Sequence, residues 1–292
     1  MSWRTIVVTE GAKLDYQMGY LVVRGTETKK LHIDEIQMLI VESTAVSLTA
    51  YLLQELVNHK VKVIFCDEKR NPSSELIPYY GSHDTSIKIR NQIDWKDEVK
   101  TAVWTDIISE KIRQQEITLT LCGENEASML NKYRNEIEFG DSTNREGHAA
   151  KVYFNALFGK QFSRKDDNSI NASLNYGYSL LLSAFNREIV SNGYITQLGL
   201  SHSNRFNPYN LASDLMEPFR PLVDVLVFRL KPQVFEKEEK HAVICLLETE
   251  VTINGKSEFL PNAIRIYARS VFDVLNNKGD GNICFYERKS EK

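Results

Sequence analysis

The sequence predicts an α+β multidomain chain: a small β-sheet domain over residues 1–82, a linker at 83–91, and a larger all-α domain over 92–292. Three observations lead there. Before residue 82, apolar and β-branched residues tend to recur with period two. Around residues 68–86, two prolines, a glycine and small polar residues interrupt any period. After residue 92, apolar residues recur at helical spacing. The 292 residues, 42% of them hydrophobic, can bury one large core or two modest ones, and the 26% charged fraction with a net charge of −3 gives no sign of disorder.

The elements follow in order. "TIVVT" is a short β-branched strand, and "KLDYQMGYLVVRG" alternates around aromatics. "KLHIDEIQMLIVE" alternates with a shift of phase at "DEI". "SLTAYLLQELVNHK" changes to helical spacing through Leu48, Leu52, Leu53 and Leu56, with Ser47 as N-cap. "VKVIFCD" returns to strand, and "ELIPYY" is a last strand-like piece. Helices are expected in "TAVWTDIISEKIRQQEITLTL", "ENEASMLNKYRNEI" and "HAAKVYFNALFG". A longer one, "NASLNYGYSLLLSAFNREIVSNG", stops at Gly193, and two more lie in "LVDVLVFRLKP" and "PNAIRIYARSVFDVLNN". There is no internal repeat.

Charge and cysteines narrow the function. The pI near 6.1 does not advertise a nucleic-acid binder, but residues 145–231 carry ten Lys and Arg against seven Asp and Glu, a local basic excess. Cys66, Cys122, Cys245 and Cys284 form no C-x-x-C pair, which excludes a zinc ribbon. Their apolar settings suggest reduced core thiols in a cytoplasmic protein. The N-terminus has no signal-peptide core, and no apolar run is long enough to cross a membrane.

Three places put acids or histidine in unusual settings. Glu146 opens a helix whose Ala149, Ala150, Tyr153 and Phe154 follow at spacings of three, four, seven and eight, so it points along the core stripe. It also reads as a first-turn acid near the helix dipole, with Asn144 as cap. His202 lies in a polar loop, "GLSHSNRFNPYN", where a solvated side chain is the ordinary reading. In "LASDLMEPFRPLVD", Asp214 and Glu217 share one helix face. Pro218 makes the helix kink or restart there, and Glu217 can pair with Arg220. Together one histidine and two or three carboxylates suit Mg²⁺ or Mn²⁺, and neighbouring arginines suit phosphodiesters.

In "EGHAAKVYF", "NASLNYGYSLL", "GLSH", "LASDLMEPFRPLVD" and the "WRTIVV" opening, taken in this order, the chain resembles the CRISPR adaptation integrases, in the short form of type II systems. The resemblance covers nearly the whole chain. It implies a β domain that mediates homodimer formation and a helical, metal-dependent catalytic domain. The implied metal ligands are Glu146, His202 and Glu217, the last standing where many relatives have an aspartate, with Asp214 as an assisting acid. It further implies transesterification: the 3′-hydroxyl ends of a short DNA fragment attack the repeat array.

The implied partners are double-stranded DNA, a second copy of the chain, the small ferredoxin-like adaptation protein, whose dimer bridges two homodimers, and other type II CRISPR proteins. Asn175 and Tyr176 match the helix motif and shape the site or contact DNA, helix packing being the alternative. Arg145, Lys151, Arg164, Lys165, Arg187, Arg205 and Arg220 flank the ligands and are candidates for phosphate contact. Two further readings stay open: a metal-dependent nuclease of branched DNA, and a DNA-binding scaffold whose acids are structural.

Overall fold

The computed structural model describes residues 4–78, 82–277 and 281–289. Trp3 of the "WRTIVV" opening and Tyr79 and Tyr80 of "ELIPYY" lie outside them.

The strand-rich part holds two four-stranded sheets. β1 (Arg4–Val8) belongs to one, while β2 (Lys13–Gln17), β3 (Tyr20–Arg24) and β4 (Thr28–His32) form an antiparallel meander in the other. The β2–β3 turn is Met18-Gly19 with φ of 49° and 88°, the left-handed pair a two-residue hairpin requires. The phase shift at "DEI" is the exit from this sheet. A 3-10 turn at Ile33–Glu35 ends it, and β5 (Ile36–Val41) begins the other. β6 (Ser47–Leu48) closes the meander edge, giving the order β4-β3-β2-β6. α1 (Ala50–Asn58) is capped by Thr49, whose hydroxyl accepts the Leu52 amide at 3.2 Å; Ser47, the expected cap, is instead two residues back in β6.

β7 (Lys62–Cys66) and β8 (Pro72–Leu76) complete the second sheet, β1-β5-β7-β8, in which only β8 runs antiparallel. All six residues of β5 are buried, as a central parallel strand covered on both faces demands. Its two faces serve different cores. Leu39, Val41 and Val63 pack with Leu14, Leu21, Leu52 and Leu56, while Met38, Ile40, Ile64 and Cys66 join a core with Leu174, Leu181 and Phe185 of the helical part. Glu75 pins the same junction, pairing with buried Lys62 and accepting the Ser183 hydroxyl at 2.8 Å.

The segment 83–91, a linker by composition, contains most of α2 (Thr85–Ile93). Tertiary contacts hold it: the Gln92 side chain donates to the carbonyls of Ile195 and Leu198 at 2.9 and 3.1 Å and accepts the Ile195 amide at 3.0 Å. Next come α3 (Asp97–Cys122), stopped by left-handed Gly123, α4 (Ala127–Asn135), α5 (Arg145–Phe158) and α6 (Ser169–Ser191). α7 (Asn210–Leu215) does end before Pro218; a 3-10 turn at Glu217–Phe219 intervenes and α8 (Arg220–Leu230) restarts.

α9 (Lys237–Ile244) begins with a reciprocal capping box between Glu236 and Glu239, and α10 (Leu260–Leu275) packs on α6. The helical part is not all helix. β9 (Glu250–Ile253), β10 (Lys256–Phe259) and β11 (Tyr286–Arg288) form a sheet of order β10-β9-β11. Its hairpin turns at Asn254-Gly255, φ 50° and 72°, an Asn-Gly signal legible in the sequence. Of the four thiols, Cys66 is buried but Cys245 is exposed, so the apolar setting of "VICLL" did not make it a core residue.

Candidate functional site

The site assembles around α3, the helix against which α4, α5, α8 and α10 pack. Glu146 lies in the first turn of α5. That turn is held by Asp141, whose carboxylate accepts the amides of Arg145 at 2.7 Å and Glu146 at 3.0 Å. Asn144, the expected cap, makes no capping bond; it is left-handed, φ 53°, and its side chain crosses Gly147, where a Cβ would come within 2.7 Å of Oδ1. Held this way, Glu146 turns its carboxylate onto the ammonium of Lys111 from α3.

Glu217 reaches the same ammonium from the 3-10 turn, its Oε2 lying 2.5 Å from Lys111 Nζ, and its Oε1 lies 3.0 Å from Arg220 Nε. Oε2 is buried, with the Lys111 ammonium as its charged partner. Burial alone would push the Glu217 carboxyl up, but Arg220 and Lys111 outweigh it and hold it below the usual glutamate range. Burial likewise works against the Lys111 ammonium, and Glu217 and Glu146 more than offset it.

His202 stands beside this group on the loop between α6 and α7. Its Nδ1 is 2.5 Å from Asp214 Oδ1. Asp214, fully buried, also accepts the amides of Leu200 at 2.6 Å, Ser201 at 3.1 Å and His202 at 3.2 Å. Its oxygens are therefore committed to shaping the loop and aiming the ring. Gly199 permits this approach, since a Cβ there would lie 2.5 Å from the His202 carbonyl and 2.6 Å from Asp214 Oδ2. The hydrogen bond that the ring donates to Asp214 raises the imidazole pKa, with burial opposing. Glu217 and Arg220 act on the ring electrostatically, and Trp104 meets it edge-on at 5.9 Å. A cleft of about 810 Å³ opens beside His202, lined by Trp95, Leu198, Arg205 and Phe206 among others.

A second buried carboxylate backs the site. Asp224 on α8 accepts the hydroxyls of Tyr153 at 2.9 Å and Tyr178 at 2.5 Å. Burial pushes its pKa up to about 6 despite both bonds. The guanidiniums of Arg220 and Arg164 lie 4.8 and 5.4 Å from the centre of the Tyr178 ring.

The other candidates scatter. Arg164 is engaged with Asn171 and, at 2.6 Å, with Asn175 Oδ1, so Asn175 is tied to the site's basic edge. Tyr176, its neighbour, faces the opposite way, buried against Phe235 and under Lys240. Arg145 pairs with Glu136 at 3.3 Å. Lys151, Lys165 and Arg205 are exposed. Arg187 faces the strand-rich part, donating to the Lys60 carbonyl at 2.9 Å and to Glu188 at 2.6 Å.

The residue reading missed Lys111, Asp141 and Asp224. Lys111 follows Ile107 by four and Ile108 by three, a base on the core stripe of α3, and Asp224 sits inside "LVDVLV"; both were findable as charges within apolar patterns. Asp141 carried no such mark. Among the described residues, no three His, Cys, Asp or Glu side chains stand close enough to hold a metal ion; the two glutamates instead converge on a lysine.

The family model described as CRISPR associated protein Cas1 matches residues 5–253. The chain is 35% identical to a CRISPR-associated endonuclease Cas1 of Neisseria meningitidis serogroup C (strain 8013), over 80% of this chain and 77% of that one. Its fold is similar to that of a casposase bound to integration product, with TM-score 0.76, 19% identity, and coverage of 96% of this chain and 92% of that one. It is similar also to a chain of a Cas6-RT-Cas1–Cas2 complex, with TM-score 0.72, 16% identity, and coverage of 98% of this chain and 36% of that one.

Proposed function

This chain belongs to the Cas1 family of CRISPR-associated proteins, and on that premise we propose that it is a metal-dependent DNA integrase of CRISPR adaptation with related endonuclease activity. The observation that carries the reading is the meeting of Glu146 and Glu217, from two distant segments, on one buried cation beside an imidazole oriented by a carboxylate.

By its chemistry the donor set, two carboxylates and an imidazole, suits a hard divalent ion once the glutamates are released from Lys111. Glu146 and Glu217 bring two carboxylates to one point, and Asp214 holds Nδ1 of His202 so that Nε2 is the nitrogen left to bind. Glu146, Glu217 and His202 would hold Mg²⁺ or Mn²⁺. When bound, the ion lowers the pKa of an attacking hydroxyl and neutralises charge growing on the phosphate.

The chain's own residues do the rest. Arg220, half-buried beside Glu217, and Arg164 across the Tyr178 ring present guanidiniums to a phosphodiester. Asp214 serves by position: it fixes the ring and the loop. The reaction is transesterification, in which a 3′-hydroxyl of the incoming fragment attacks a phosphodiester at the leader–repeat border and the old 3′-oxygen leaves. A second attack follows on the opposite strand at the far end of the repeat.

The partners in this reading are double-stranded DNA, a second copy joined through the β domain, the small ferredoxin-like adaptation protein and other type II CRISPR proteins. The similarity to a chain of a Cas1–Cas2 complex supports that assembly. The test is strand joining into a repeat plasmid with and without Mn²⁺. Glu146→Ala, His202→Ala and Glu217→Ala should each abolish joining while leaving DNA binding largely intact. Near wild-type joining by one variant removes that residue from the ligand set. Release of 3′-hydroxyl ends without joined product would favour a nuclease of branched DNA.

A further inference from the structure

Lys111 is the most committed charge in the site. It comes from the middle of α3, is only 8% exposed, and lies where the carboxylates of Glu146 and Glu217 converge. A buried ammonium is costly unless paired, and so is buried Glu217 facing the half-buried Glu146 carboxylate with no cation between them. With Arg220 on the far side of Glu217, the group holds two carboxylates against two cations and is balanced as it stands.

We propose that Lys111 is the resident counter-ion of the site, and that it couples metal loading to DNA. It is a positioning residue: it keeps Glu146 and Glu217 in register and competes for them with a divalent ion. This rests on the metal-dependent reading above. A divalent ion held by Glu146 and Glu217 would compete with the ammonium for the same two carboxylates. Adding two positive charges to a balanced cluster, with Lys111 displaced but still nearby, is unfavourable in so buried a setting. A DNA phosphate supplies what is missing, an anion to which the Lys111 ammonium can turn. Free protein should therefore bind the ion weakly, and DNA should tighten it. By linkage the ion should tighten DNA by the same factor.

The experiment measures Mn²⁺ binding by electron paramagnetic resonance, on the full chain, with and without a short DNA duplex. For the wild type, DNA should tighten Mn²⁺ by about tenfold or more, within the usual range of such couplings. Lys111→Met should bind Mn²⁺ tightly without DNA and lose the coupling. Lys111→Gln, which keeps polar contacts to both glutamates, should change in the same direction.

Melting supplies a second readout. Both variants should melt lower than wild type in chelator and recover with Mn²⁺, because the two carboxylates are left facing one another. Unchanged or weaker Mn²⁺ binding by both variants without DNA overturns the proposal, as does equal coupling in variant and wild type. If the wild type's Mn²⁺ binding is indifferent to Glu146→Gln and Glu217→Gln, the metal site itself is wrongly placed, a failure distinct from that of Lys111.

Discussion

Removing the Asp214 carboxylate takes the shared acceptor from three backbone amides and the His202 ring at once. Hydrogen bonds to a charged group contribute roughly 1.5–3 kcal/mol each. Asp214→Ala should therefore lower stability by about 3 kcal/mol or more. His202→Ala, at a side chain 45% exposed, should melt close to wild type. Denaturant melts beside joining assays separate the two, since both should lose activity; equal melts would mean that the loop does not depend on Asp214.

Asp224 gives a pH signature. Its pKa in the fold is raised to about 6, so the native state holds its proton more tightly than the unfolded chain. That contribution is fully present below the ordinary aspartate range and is lost as pH rises through about 6. Acidifying from pH 7 to 5 should stabilise wild type relative to Asp224→Asn by roughly 1 kcal/mol. Glu217 works in the opposite sense. Its pKa is lowered, so its contribution is present above the usual glutamate range and fades as pH falls through the lowered value. Only the difference between wild type and Asp224→Asn across pH therefore isolates Asp224, and a flat difference would refute the assignment.

At the scale of elements, the site depends on how closely α6 and α8 approach. Gly177 on α6 faces Val223 on α8, and a Cβ there would overlap Val223 Cγ1 and lie 3.2 Å from Val243 Cγ1. The same two helices carry Tyr178 and Asp224, whose hydrogen bond spans them. Gly177→Ala should separate them and cost about 1–3 kcal/mol as overpacking does. Disturbing the Tyr178–Asp224 register should also reduce joining. A melt unchanged from wild type would mean that the helices shift without cost. Most elements were legible from spacing, including the restart at Pro218 and the stop at Gly193. α2 was not, because a polar segment becomes helix here through Gln92 docking on 195–198. β9 and β10 were passed over because strands of four residues hardly show alternation, although Asn254-Gly255 marked their turn.

On the whole molecule, charge should decide how DNA is held. Arg164 is tied to Asn171 and Asn175, so reversing it would disturb α6 as well as any phosphate it grips. Lys151 and Lys165 are exposed and free of that complication. A Lys151→Glu/Lys165→Glu variant should bind DNA more weakly. Its log affinity should fall less steeply with log salt, by about 0.9 for each duplex phosphate that the variant no longer neutralises. Salt titrations of fluorescent DNA test this, and equal slopes would take both lysines off the DNA path. The strand-rich and helical parts share one core through Met38, Ile40, Ile64 and Cys66. A chain begun near Ile87 should therefore expose the α6 face that carries Ser183 and Asn186, which meets Glu75 of β8, and sediment as aggregate; a well-behaved species would mean that the helical part closes its own core.

By itself the sequence determined most of the order of strands and helices up to α8, the basic excess of 145–231, and the candidate acids and histidine that stand out against their apolar or polar surroundings. These are local properties, set by period, composition and a proline. Only the tertiary structure decided that Glu146 and Glu217 share Lys111, that Asp214 serves His202 and its loop, and that Tyr176 turns inward while Asn175 turns to Arg164. Each of those is a contact between different elements, whether nearby or far apart in the chain, and no helical or strand spacing encodes it. A buried charge must find its partner in space, and the partner is chosen by which helices pack together.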